Sequence, residues 1–238
     1  MKVKLLFIGV FFGHLCLNGC SSDKTPSPPQ VITLESAAEV ISTAINTPDT
    51  TTIHVEQTPV ADSDLELLRG NAKITNLLLD ESNVTDIGIS TIATMPNLVH
   101  LRVQSEVTDA CIDDLLQIKT LQFLNLPLAN FTDAGLKRLT THPHIQLLRL
   151  RSPRVTDVSM PSVAAMERLA FLHFIEIPIT DVGLEAFYNA DDLQSLYLDK
   201  SQATEEGLSA LLMHQPSLHL HVDQLHLESD PNKDRHEH

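Results

Sequence analysis

The sequence predicts an α/β solenoid: a curved parallel sheet of about eight strands lining a concave face, with helices on the convex face. Three observations carry this. Thr-Asp pairs recur at Thr85-Asp86, Thr108-Asp109, Thr132-Asp133, Thr156-Asp157 and Thr180-Asp181, with Thr204-Glu205 last, in one step of 23 residues and then steps of 24. Before each pair lies an apolar triplet on the same period: Ile74/Leu77/Leu79, Leu98/Leu101/Val103, Leu121/Leu124/Leu126, Ile145/Leu148/Leu150, Leu169/Leu172/Phe174 and Leu193/Leu196/Leu198. After each pair comes a small residue: Gly88, Cys111, Gly135, Ser159, Gly183 and Gly207. Self-similarity at a fixed period is the signature of stacked supersecondary units that share one core. Weaker copies flank the set, with Ile53/Val55 leading into Val60-Ala61-Asp62 on one side and Leu220/Val222 on the other.

In chain order, residues 1–19 read as a signal peptide. Lys2 and Lys4 precede the apolar run LLFIGVFFGHLCL, which is too short for the roughly 20 apolar residues a spanning helix needs. Leu17-Asn18-Gly19-Cys20 resembles the bacterial lipobox, which implies cleavage before Cys20 and lipidation of its sulfur. Ser21, where an aspartate would retain the protein at the inner membrane, favours the periplasmic side of the outer membrane. Residues 20–32 are the lipidated cysteine and a Pro/Ser-rich tether; SSDKTPSPPQ spans roughly 30 Å when extended. Residues 33–49 predict a helix with Leu34, Ala37, Ala38, Ile41 and Ile45 on one face and Thr33 as N-cap. It either caps the next domain or lies on the membrane, and its lack of basic residues disfavours the second. Residues 50–223 are the repeat domain, and 224–238 a charged flexible tail in which Leu225 and Leu227 could cover the last repeat.

Charge and cysteine content narrow the partners. Without residues 1–19 the chain has 14 basic and 31 acidic residues, a net charge of −17, which disfavours nucleic acid and anionic lipid surfaces. Of three cysteines, only Cys111 would remain as a thiol, so no internal disulfide is expected.

The L-x-x-L-x-L and V-T-D-x-G-L pattern resembles leucine-rich repeats of the short cysteine-containing or ribonuclease-inhibitor-like kind, over about Thr50 to Asp223. Where many such repeats carry an asparagine after the strand, this chain has Ser82, Ala129, Pro153, Ile177 and Ser201. Pro153 also removes a backbone donor. The aspartate of each Thr-Asp pair is expected to cap the following helix, accepting from its first free amides and complementing its positive end. The small residue lets the helix backbone approach the core. Cys111 reads as a buried occupant of that slot, with a reactive thiol as the alternative. The regularly spaced carboxylates are not expected to bind calcium, because each has a capping task.

The period of two along each strand sets the outward rows. One row reads His54, Leu78, Arg102, Asn125, Arg149, His173, Tyr197 and His221; an earlier row holds Phe123, Leu147 and Phe171; a later one holds Asp80, Arg151, Ile175 and Asp199. Arginine and aromatic residues are enriched at interface hot spots, and here they gather on one face of an acidic chain. The sequence therefore nominates Arg102, Phe123, Arg149, Arg151, Phe171, His173 and Tyr197 as a docking patch for a protein partner, one bearing carboxylates. The alternative is that these side chains merely cover one another in the sheet. His219, His221 and Asp223 alternate on the last strand with ligand types suited to zinc, a weaker signal. No phosphate-binding loop, G-x-S-x-G, H-E-x-x-H or C-x-x-C is present, and His142 and His144 are expected to face solvent. The sequence thus predicts a non-enzymatic, lipid-anchored, monomeric envelope protein without a cofactor, binding a macromolecule on its concave face. A metal-binding protein and a structural spacer are the other readings, since this scaffold hosts many functions.

Overall fold

The computed structural model describes residues 35–223 and 225–226. The signal peptide, Cys20, the tether, Thr33 and Leu34 lie outside the described residues, as does the tail beyond residue 226. The first helix, α1, spans Ala37–Asn46. Its cap is Ser36, later than the expected Thr33, and it forms a reciprocal box: the Glu39 N–H donates to Ser36 Oγ at 3.3 Å, and the Ser36 N–H donates to the Glu39 carboxylate at 2.8 Å. Ala37 and Ile41 are buried, so the apolar face closes the N-terminal end of the core. At its C-terminal end the Lys73 ammonium donates to the carbonyls of Ala44 (3.1 Å), Ile45 (2.8 Å) and Thr47, offsetting the negative end of the helix.

Eight short strands follow in one parallel sheet, in sequence order: β1 Thr52–Val55, β2 Asn76–Leu79, β3 His100–Val103, β4 Phe123–Leu126, β5 Leu147–Arg151, β6 Phe171–Ile175, β7 Ser195–Asp199 and β8 His219–Val222. The apolar pairs of the repeat point inward, and Leu77, Leu101, Leu124, Leu148, Leu172 and Leu196 are completely buried. A ninth strand, β9 (Leu225–His226), turns back antiparallel on β8 and covers part of the free sheet edge. Leu225 is nonetheless 70% exposed, so the turn adds backbone pairing rather than the apolar cover expected of that residue.

Each of β1 to β7 is followed by a turn and a short helix: α2 Asp62–Leu65, α3 Asp86–Ile92, α4 Ile112–Gln117, α5 Asp133–Leu139, α6 Met160–Ala164, α7 Asp181–Glu185 and α8 Glu205–His214. From α3 onward, the threonine and not the expected aspartate caps the helix or the 3₁₀ turn that leads into it. Threonine is the N-cap, as at Thr85, whose side chain accepts from the Ile87 N–H, and at Thr132, which accepts from the Gly135 N–H. Aspartate instead reaches across to the next repeat. Asp62 accepts from the Thr85 N–H at 2.8 Å and its hydroxyl at 2.6 Å; Asp86 does so from Thr108, Asp109 from Thr132, Asp133 from Thr156, Asp157 from Thr180 and Asp181 from Thr204. The motif is a ladder between repeats, and Asp62 is its first rung.

The small slot serves this ladder. A Cβ on Gly135 would stand 2.0 Å from Asp109 Oδ1, and one on Gly207 2.1 Å from Asp181 Oδ1. The slot is small chiefly because the preceding repeat's carboxylate occupies the space, and the close approach to the core adds to it: a Cβ on Gly88 would also meet Val84 at 2.7 Å, and one on Gly183 Ile179 at 2.7 Å. The two non-glycine slots answer differently. Ser159 donates its hydroxyl to Asp133, and the Cys111 thiol sits beside the Asp86 carboxylate. Both lie in 3₁₀ turns, Asp109–Cys111 and Asp157–Ser159, that precede α4 and α6, whereas α3, α5, α7 and α8 begin directly at a glycine repeat. Burial first, then the Asp86 charge, push the Cys111 thiol far above its usual range, so it stays protonated and inert.

Serine hydroxyls provide part of what an asparagine ladder would. Ser105 donates to the Ser82 carbonyl at 2.8 Å and accepts from the Val84 N–H at 3.1 Å, and Ser152 donates to the Phe131 carbonyl at 2.7 Å. Ser105 and Ser152 are both buried, so these bonds satisfy turn groups that water cannot reach.

Candidate functional site

The registers join the central outward row into a continuous line: His54, Leu78, Arg102 and Asn125, then Arg149, His173, Tyr197 and His221. On its C-terminal half the face opens a hollow of about 530 Å³ lined by Leu147, Arg149, Phe171, Leu172, His173, Tyr197, Asp199 and His221. Four of the nominated residues, Arg149, Phe171, His173 and Tyr197, come together there from β5, β6 and β7. Phe171 is 41% exposed although it is a large apolar side chain on a sheet.

The other three nominated residues do not line the hollow. Arg102 Nε stands 2.9 Å from Asp80 Oδ1, an ion pair whose N–H does not point along the contact, and Asp80 also pairs with His54 at 2.8 Å. Arg151 donates to Glu176 at 2.6 Å, and Glu176 also accepts from Lys200 at 2.7 Å. Phe123 packs edge-on against His100, ring centroids 5.7 Å apart. Asp199 and Leu147 also line the hollow without belonging to the expected docking patch, and so does His221, which the sequence offers only as a metal ligand, although all three rows are readable. Glu176 was not readable, because a left-handed turn (φ 53°) brings it to Arg151.

Inside the hollow the polar groups form a chain. Arg149 Nε donates to His173 Nδ1 at 3.1 Å, and His173 Nε2 meets Asp199 Oδ2 at 2.8 Å. A ring that accepts on Nδ1 and donates from Nε2 is a neutral imidazole with its proton on Nε2. Burial, chiefly, and the Arg149 charge lower the His173 pKa, against the opposing pull of Asp199. Tyr197 stacks on His221 with centroids 4.5 Å apart and ring planes 7° off parallel.

At the C-terminal end, His219 and His221 bring their Nε2 atoms to 2.6 Å. The carboxylates that could complete a metal set are engaged elsewhere: Asp223 accepts the Lys200 N–H at 2.7 Å, and Asp199 holds His173. Among the described residues no group of three His, Cys, Asp or Glu side chains could hold a metal ion. Also among them, no helix is long and apolar enough to cross a membrane.

His142 corrects an expectation. It is buried rather than solvent-facing, its Nε2 within 3.0 Å of the Ile118 carbonyl of the preceding repeat. Burial lowers its pKa, and burial together with Arg102 lowers that of His100. With His173, three histidines therefore take up protons more readily unfolded than folded. Their contribution to stability is full above the ordinary histidine value of about 6.5 and is lost as pH falls through the lower folded values. The thermal midpoint should accordingly drop between about pH 7.5 and about pH 5.5, and His142→Gln should flatten the slope. A midpoint constant over that interval would refute this.

Fold and face together define the class: a leucine-rich-repeat solenoid whose concave sheet presents an aromatic and arginine-lined hollow. Solved structures agree with the architecture. The chain is similar to internalin C2 of Listeria monocytogenes at 17% identity and TM-score 0.56, covering 82% of this chain and 86% of that one. It is similar to internalin F of the same organism at 25% identity and TM-score 0.55, covering 77% of this chain and 54% of that one. No protein-family profile matches the sequence, and no curated protein matches it.

Proposed function

We propose that this chain is a non-enzymatic protein of the bacterial cell envelope, anchored through a lipid on Cys20, that binds a protein partner on its concave face. One observation carries the binding reading: Arg149, Phe171, His173 and Tyr197, from three adjacent strands, surround one hollow and leave Phe171 41% exposed. Its volume of about 530 Å³ falls within the usual span of binding pockets, and the mixture of aromatic surface and a charged anchor is that of an interface centre. The lipobox-like Leu17–Cys20 segment supports the anchor, and the acidic balance of the chain argues against nucleic acid. The solved structures it resembles support the scaffold.

The test is a crosslinked pull-down from detergent-solubilised envelopes, with the full-length chain as bait beside a variant carrying Arg149→Ala, Arg151→Ala, Phe171→Ala and His173→Ala. A partner retained by the parent and lost several-fold or more by the variant is the expected result. Equal capture by both would point instead to a spacer with no dedicated concave ligand. All four side chains point away from the core, so the variant should keep its circular dichroism.

A further inference from the structure

The three arginines of the concave sheet are not equivalent. Arg102 and Arg151 have carboxylates of this chain beside them, Asp80 and Glu176. Arg149 has none within 4.0 Å among the described residues. Its Nε is spent on His173, and its Nη1 makes only a long contact, 3.4 Å, to Asn125 Oδ1. In a chain with about twice as many acidic as basic residues, an arginine left without a counter-ion and turned toward a hollow is an uncompensated charge. Desolvation and the neighbouring Arg102 already lower its pKa, and Asp199 opposes them only from a distance.

We propose that the hollow receives one aspartate or glutamate side chain of the partner, with an aromatic or aliphatic neighbour beside it. The carboxylate takes the free edge of the Arg149 guanidinium, whose planar fork matches it. The apolar neighbour lies against Leu147, Phe171 and Tyr197. This rests on the concave-face reading above. An internal side chain fits better than a chain terminus, because the outward rows continue past the hollow toward Phe123 and Arg102 on one side and His219 on the other, so the occupant passes through. Asp199, the one acid in the hollow, is bonded to His173 and helps hold Arg149 in place through it rather than meeting the ligand. Around the site, the carboxylates Asp80, Glu176 and Asp223 are engaged by Arg102, by Arg151 with Lys200, and by the Lys200 N–H, and His219 and His221 add no negative charge.

The experiment pans a random library of displayed peptides on the full-length chain and on Arg149→Gln, Arg149→Lys and Phe171→Ala variants, each checked for parental circular dichroism and thermal midpoint. Peptides enriched on the parent are expected to share an Asp or Glu next to an aromatic or aliphatic residue. For the strongest of them, made synthetically, Glu→Gln (or Asp→Asn) in the peptide and Arg149→Gln in the protein should each weaken binding about tenfold or more, and no further when combined. Arg149→Lys should restore only part of the loss. Enriched peptides without an acid that still depend on Phe171 would overturn the carboxylate proposal and leave the concave-face reading standing. Peptides indifferent to all three variants, or no enrichment on the parent, would overturn both.

Discussion

Gly135→Ala should destabilise the protein by about 1–3 kcal/mol, although alanine is the better helix former by about 1 kcal/mol. The added Cβ would stand 2.0 Å from Asp109 Oδ1 and 2.4 Å from Asp109 Cγ, the third contact being the flexible tip of Ile112. To relieve that overlap the Asp109 carboxylate must leave its place and give up the Thr132 N–H and hydroxyl together. The sign of a double-mutant cycle separates this cause from a general intolerance of side chains at the slot. In an Asp109→Ala background the carboxylate is gone, so Gly135→Ala should cost far less and could become favourable through helix propensity. Urea midpoints of the four proteins measure the cycle. Additive losses would mean that the slot is not governed by the aspartate.

Phe131→Ala should cost about 3–5 kcal/mol, the usual range for removing a buried phenylalanine. Phe131 is completely buried and occupies the position just before the capping threonine, where other repeats place Val84, Val107, Val155 and Ile179 and the last one Ala203. Replacement by alanine opens a cavity between turns of the solenoid whose neighbours are held by their own ladder bonds, which limits collapse. Phe131→Val, matching the other repeats, should recover part of the loss. Denaturation monitored by circular dichroism checks both, and a Phe131→Ala variant within about 1 kcal/mol of the parent would show that the turn repacks around the gap.

Candidate-site residues were legible to an unequal degree. Alternation along the strands put Arg149, Phe171, His173 and Tyr197 on one face, because the side-chain period is set by covalent geometry. That Arg102 and Arg151 are neutralised within the chain was not legible. Asp80 pairs with Arg102 diagonally across strands, and Glu176 reaches Arg151 only through a left-handed turn at a residue with a Cβ. The missing counter-ion of Arg149, on which the carboxylate proposal stands, emerges only by that subtraction.

By itself the sequence determined the repeat, its period, the strand positions and the inward apolar pairs, since each follows from local spacing and from the need of every copy to bury the same face. What only the tertiary structure decided lies between copies. The aspartate that reads as a local cap bonds instead to the next repeat's threonine, and the glycine two residues after the Thr-Asp pair is small chiefly because that carboxylate fills its space. The same packing buries His142 on a carbonyl of the preceding repeat. A residue's partners about 24 positions away are set by how the coils stack, and a one-repeat window contains no information about the neighbour above it.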